Sequence, residues 1–251
     1  SEQRARDFAA TCSGTAHQSR PLVLLWGDSH AAGLYPGLAV QATGSSRFRI
    51  GQYTAAACQP TVKSAPSENI HCDEVNAFVR ERILDLRPDI VILAANWDNE
   101  AQDSRDPSRH SARDSLGETI GWLRSNHMRE VIVMGPLPHW PVPLPRLLLD
   151  AWTEHHEVPE RAMEAVDDGI VALDQAMQRD MAGTGARYLS PLRALCTAQG
   201  CLTSVRRGSQ INAISFDETH LTAAGSALLM DLLKPVEITS TNRYGAKPQV
   251  P

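Results

Sequence analysis

The stretch Pro21-Leu22-Val23-Leu24-Leu25-Trp26-Gly27-Asp28-Ser29-His30 decides the fold. Its apolar run leaves no polar face, which marks a strand buried on both sides, as in a parallel sheet covered by helices. Gly27 permits a tight turn there, and the small residues after Ser29 open a helix over about 29–41. Working outward, Phe48 to Thr54 alternates and reads as a second strand. Val75, Phe78, Val79, Ile83 and Leu86 recur at helical spacing over Cys72 to Leu86, and Pro88 stops that helix. Asp89 to Ala95 is a third strand, Ser115 to His127 a helix and Glu130 to Gly135 a fourth strand. The polar segment Asp103 to Arg113 reads as a loop. Pro136 to Pro145 carries five prolines and is predicted to be irregular. A short helical piece follows at Leu147 to Trp152. Pro159 to Met181 is predicted as one long amphipathic helix, closed by Gly183 and Gly185. Ala186 to Ser190 is the fifth strand, and Leu221 to Leu233 the last helix, stopped by Pro235. Buried strands alternating with helices give an α/β fold with a mainly parallel sheet. Such sheets bind ligands outside the carboxyl ends of their strands.

The whole chain has 251 residues, with 24 Lys plus Arg against 29 Asp plus Glu, a net charge of −5. That length fits one domain, able to bury roughly three quarters of its unfolded surface without a metal or a disulfide. Mild acidity without a basic run argues against nucleic acid or an anionic membrane surface as partner. No apolar run reaches the ~18 residues of a membrane span. The polar start, Ser1 to Asp7, carries no signal peptide and reads as the beginning of an excised fragment. Five cysteines are present: Cys12, Cys58, Cys72, Cys196 and Cys201. None forms a zinc-type spacing. Cys58 with Cys72, and Cys196 with Cys201, bracket loops rich in Pro, Gly, Ser and Thr. Spacing alone leaves open two disulfides or five reduced thiols. His155-His156 and His71-Cys72-Asp73 lack a third ligand, so no metal is expected.

The chemistry collects at the strand ends. Ser29 stands where the first strand turns into a helix, and backbone N–H groups at such a helix start can hold an oxyanion. A serine there is either a nucleophile needing a base or a simple N-cap. Asp217 and His220 lie three apart before the last helix, so one turn brings both to the same side. A carboxylate so placed orients an imidazole that takes the serine proton. Asn96, at the end of the third strand, is positioned to donate to a developing oxyanion.

These three pieces resemble the SGNH (GDSL-like) hydrolase superfamily. Gly27-Asp28-Ser29 matches its first block, Asn96 the asparagine of its third, and Asp217-x-x-His220 its last, in the family order. The resemblance implies a three-layer α/β/α sandwich with a five-stranded sheet. It also implies a catalytic set of Ser29, His220 and Asp217, with the Ser29 N–H and Asn96 as oxyanion donors, and it leaves Asp28 a structural hydrogen bond. His30 departs from the usual leucine, and Trp97 from the usual aspartate. The second-block glycine is not evident: Gly51 lies too early, and a backbone N–H of Ala55 to Ala57 is a candidate replacement.

Leu25-Trp26-Gly27-Asp28-Ser29-His30, the Cys58-x-Pro60 after the second strand, Cys72 and Leu93-Ala94-Ala95-Asn96-Trp97 together resemble one subgroup. It is the extracytoplasmic domain fused to membrane acyltransferase-3 proteins that O-acetylate bacterial surface polysaccharides. That resemblance implies disulfides Cys58–Cys72 and Cys196–Cys201, and a periplasmic domain tethered to the inner membrane. It implies a linker at residues 1–20, an SGNH domain at 21–236 and a flexible tail at 237–251. No cofactor is expected in the domain; the acetyl donor comes from the membrane partner and the acceptor is a surface polysaccharide. Trp97 and Trp140 are the candidate sugar-contacting aromatics. The alternatives are a carbohydrate acetyl esterase with the same residues, and a non-catalytic glycan-binding module.

Overall fold

A computed structural model of the protein describes Phe8 and residues 20–45, 47–64, 67, 69–97, 112–208 and 210–236. In chain order the elements begin with β1 (Leu22–Gly27), α1 (Ser29–Ser45), β2 (Arg49–Thr54), α2 (Cys72–Leu86), β3 (Ile90–Ala94) and α3 (Ala112–Ser125). There follow β4 (Glu130–Met134), α4 (Leu144–His155), β5 (Arg161–Ala162), α5 (Asp168–Met181), β6 (Arg187–Leu189) and α6 (Pro191–Leu195). The last are β7 (Cys196–Thr197), β8 (Gly200–Leu202), β9 (Ser204–Arg207), β10 (Gln210–Ala213) and α7 (Ala223–Leu233).

The central sheet has five strands in the order β2-β1-β3-β4-β6, and every pair in it is parallel. β1 is buried along its whole length, because it has a strand on each edge and helices on each face. Val23 and Leu25 pack into one core with Leu34, Leu38, Leu144 and Leu229, from α1, α4 and α7. Leu24 and Trp26 pack into another with Val79, Ile83, Leu116 and Met177, from α2, α3 and α5. The fold is thus the α/β/α sandwich expected. β2 lies on one side of β1 and β3 on the other, so the chain direction across the sheet reverses there. The crevice above the ends of β1 and β3 is where such sheets place ligands.

α1 and α7 approach unusually closely. A Cβ on Gly37 would lie 2.3 Å from the Ser226 carbonyl oxygen. The Ser226 hydroxyl accepts from the Gly37 N–H at 2.9 Å and donates to the Leu34 carbonyl at 3.1 Å. Pro36, inside α1, has no N–H to give to the preceding turn, and Ser226 supplies polar contacts beside it.

Several expectations are corrected. The long helix over Pro159 to Met181 is only its second part. α5 starts at Asp168 because the Asp167 side chain caps it, accepting from the Ile170 N–H at 2.8 Å. Upstream, β5 pairs antiparallel with β8, opposite the cystine-closed β7–β8 hairpin. The irregular proline stretch ends earlier than predicted: α4 runs from Leu144, and Pro145 is tolerated in a first turn whose N–H groups need no partner. The β9–β10 pair was not anticipated. The segments 1–7, 9–19 and 237–251 of the expected linker and tail lie outside the described residues, as does most of the predicted 103–113 loop. Phe8 stacks on Phe78, with ring centroids 5.6 Å apart. Among the described residues no helix is long and apolar enough to cross a membrane.

Candidate active site

Ser29 is the first residue of α1, directly above β1. Gly27 is required by close approach: a Cβ there would sit 1.7 Å from the Ala94 carbonyl oxygen at the end of β3. Asp28 is buried beneath the turn. One carboxylate oxygen accepts from the His30 N–H at 2.8 Å and the other from the Asn96 N–H at 2.8 Å. It therefore ties the start of α1 to the loop after β3, the structural hydrogen-bonding role expected of it. Burial pushes the Asp28 carboxyl up to about 6, against the pull of those N–H bonds.

The segment before α7 is a compact turn. Ser215 bridges Leu221, and the Phe216 N–H donates to the His220 carbonyl at 3.0 Å. Asp217 divides its work between its two oxygens. Oδ1 accepts from the backbone N–H of Thr219 at 2.9 Å and of His220 at 2.7 Å. Oδ2 lies 2.7 Å from His220 Nδ1. Burial would raise the Asp217 carboxyl, but these bonds outweigh it and hold the group below its ordinary value. A carboxylate only accepts, so Nδ1 carries the proton and Nε2 is left to accept. His220 Nε2 lies 2.8 Å from Ser29 Oγ, across 191 positions of sequence. The packing of α1 on α7 sets this meeting, because α1 begins at Ser29 and α7 begins just beyond His220.

His30 forms a second support. Its Nε2 is 3.1 Å from the Thr219 hydroxyl, and its ring meets that of His220 edge to face at 4.9 Å between centroids. Burial first, and then the nearness of His220, press the His30 imidazole down to about 3. It is neutral at any ordinary pH.

The remaining expected residues divide. Cys58–Cys72 and Cys196–Cys201 are disulfide-bonded. Asn96 sits at the end of β3, its N–H on Asp28 and its carbonyl accepting from Gln59 Nε2 at 2.8 Å. Of the Ala55 to Ala57 backbone donors, Ala55 gives its N–H to the Gly27 carbonyl at 3.1 Å, which leaves Ala56 and Ala57. Trp97 and Trp140 are not sugar-contacting residues. They are 1% and 0% exposed, and Trp97 Nε1 donates to the Met134 carbonyl at 2.8 Å. At both positions the apolar bulk of the indole fills core space instead. The exposed aromatic beside the site is Phe216, 59% exposed, its ring nearly parallel (16°) to the His220 imidazole at 5.6 Å. Its place immediately before Asp217 was the available sequence signal. Among the described residues no cluster of three His, Cys, Asp or Glu side chains is arranged for a metal.

A family profile described as "SGNH domain (fused to AT3 domains)" matches residues 2–235. The chain belongs to this SGNH domain family. No curated protein matches this SGNH domain significantly. Among solved structures, it is similar to the periplasmic domain of the lipopolysaccharide acetyltransferase of Salmonella ser. Paratyphi A. Identity is 23%, coverage 88% of this chain and 84% of that one, and the TM-score 0.73. A Streptococcus pneumonia structure described as a platelet activating factor gives 15% identity, 89% and 86% coverage and a TM-score of 0.50. An acetyl xylan esterase, AlAXEase, gives 10%, 84% and 96%, and 0.49. The likeness to the acetyltransferase periplasmic domain supports the α/β/α fold described above.

Proposed function

We propose that this domain is an O-acetyltransferase that passes an acetyl group, through an ester on Ser29, to a hydroxyl of a bacterial surface polysaccharide. The observation that carries the reading is the unbroken chain Asp217–His220–Ser29, with links of 2.7 and 2.8 Å. Ser29 Oγ attacks the acetyl carbonyl and gives its proton to His220 Nε2. The Ser29 N–H and Asn96 stabilise the tetrahedral oxyanion, with Ala56 or Ala57 as further donor. His220 returns the proton to the leaving group, and the acetyl-enzyme remains. An acceptor hydroxyl then gives its proton to His220 and attacks, and Ser29 regains its own. Asp217 holds the imidazole and stabilises its charged form. No cofactor enters this sequence.

Transfer is favoured over hydrolysis by membership of a family described as fused to AT3 domains. In this reading a membrane acyltransferase partner presents the acetyl donor and tethers the domain on the periplasmic side, where its two disulfides persist. The test supplies an activated acetyl ester with surface oligosaccharides and follows products by mass spectrometry against Ser29→Ala. Serine-dependent acetyl on sugar supports transfer. Serine-dependent free acetate alone turns the reading to an esterase, and no serine-dependent product of either kind turns it to a glycan-binding module.

A further inference from the structure

We infer that Phe216 is the stacking wall of the acceptor subsite, recognising the carbon-bound hydrogens on one face of a pyranose ring. The inference deepens the reading above and rests on it. Phe216 is a large apolar ring left 59% exposed, while the indoles of Trp26, Trp97 and Trp140 are fully buried. Its position is fixed. Its N–H is bonded to the His220 carbonyl, and its neighbour Ser215 is bridged to Leu221. Its ring lies against the imidazole at 5.6 Å and 16°.

The chemistry of the second half-reaction places the acceptor here. The attacking hydroxyl must come within hydrogen-bond reach of His220 Nε2, about 2.6–3.2 Å. A pyranose carrying that hydroxyl then has its ring beside the imidazole, against which the Phe216 ring lies at 5.6 Å. An aromatic face offers such a ring a contact that glycerol or water, with no extended apolar face, cannot use. The other exposed aromatic among the described residues, Trp152, lies near the far end of α4, edge-on to His156. It is eight residues, about 12 Å of helix, from Leu144, whose N–H bonds the Asp217 carbonyl.

The experiment loads the enzyme from p-nitrophenyl acetate in a mixture of methyl α-D-glucopyranoside, methyl β-D-galactopyranoside and glycerol. It reads the ratio of acetylated pyranoside to acetylated glycerol. Both products arise from one acetyl-enzyme, so the ratio is independent of how fast that intermediate forms. The wild type should favour a pyranoside, and Phe216→Ala should lower the ratio about five-fold, the size of one lost aromatic contact. Phe216→Tyr should keep it. A wild-type ratio at the statistical value, no capture of pyranoside, or an unchanged ratio in Phe216→Ala overturns the proposal. Products that persist in Ser29→Ala overturn the parent reading instead.

Discussion

Gly37 and Ser226 join the two helices that carry the ends of the site. The Gly37 Cα faces the Ser226 carbonyl with no room for a methyl group, and the Ser226 hydroxyl takes the Gly37 N–H. Ser29 opens one of these helices and His220 precedes the other, so a wedge at this contact moves the two side chains apart. Gly37→Val should cost about 1–3 kcal/mol by overpacking. It should also lower ester hydrolysis more than the fraction unfolded explains. Denaturant unfolding and p-nitrophenyl acetate turnover on the same sample check this; loss of stability with full specific activity would refute the coupling.

Asp28 satisfies two backbone N–H groups from different elements. Asp28→Ala leaves both without their acceptor, at about 1–3 kcal/mol for each buried group. The expected result is a lower unfolding midpoint together with a fall in kcat, since Asn96 loses its anchor. A variant as stable and active as wild type would show the tie to be idle.

Stability should fall on acidification, with His30 as the leading buried group. The His30 imidazole is held down at about 3 against an ordinary 6.5, so the unfolded chain binds the extra proton between those values. Its contribution is complete above pH 6.5 and is lost as pH falls toward 3. Asp28 is raised to about 6 from 3.8 and acts oppositely, favouring the fold below 3.8 and losing that advantage as pH rises to 6. Between pH 3.8 and 6 the two slopes oppose and cancel, so the wider His30 window shows as a net loss from 6.5 to 6 and again from 3.8 to 3. Thermal melts across pH 4–7 should show a shallower acid limb in His30→Leu; an unchanged limb would remove His30 from the account.

His30→Leu keeps apolar volume but removes the bond to Thr219. Ester turnover should fall roughly ten-fold in kcat, about 1.4 kcal/mol of barrier, with KM little changed. Thr219→Ser should retain activity because the hydroxyl survives. If Thr219→Val and His30→Leu are fully additive, the bond between them does not couple them.

Reduction of the disulfides should be unequal in effect. Cys58–Cys72 closes the longer loop, so its removal by Cys72→Ser with Cys58→Ser should cost about 3 kcal/mol. Replacing both Cys196 and Cys201 should cost less, because their loop is short. Equal shifts in unfolding midpoint would contradict a chain-entropy origin.

The central sheet was legible because β1 and β3 are uninterrupted apolar runs, β4 is one after Glu130, and β2 alternates. The site was legible because Ser29, Asn96 and Asp217 to His220 all fall at strand or helix ends. Where long-range partners decide, the sequence was silent. The two-residue β5 exists only because β8 lies opposite it, and no local periodicity marks that. Trp97 and Trp140 show the same limit: an indole near a strand end suits a sugar or a core equally, and burial alone separates the two. His30 stands out as a departure from a motif, but its link to Thr219 spans 189 positions and is visible only in three dimensions.

Ser29 meets His220 across almost the whole domain. A ribosome making this chain releases Ser29 before His220, which follows 191 residues later. Over that stretch of synthesis the growing chain carries the proposed nucleophile without its proposed base. Chains cut short before α7 lack the helix that seats His220 against α1. On the proposed mechanism, fragments that stop short of α7 should therefore be inert toward esters.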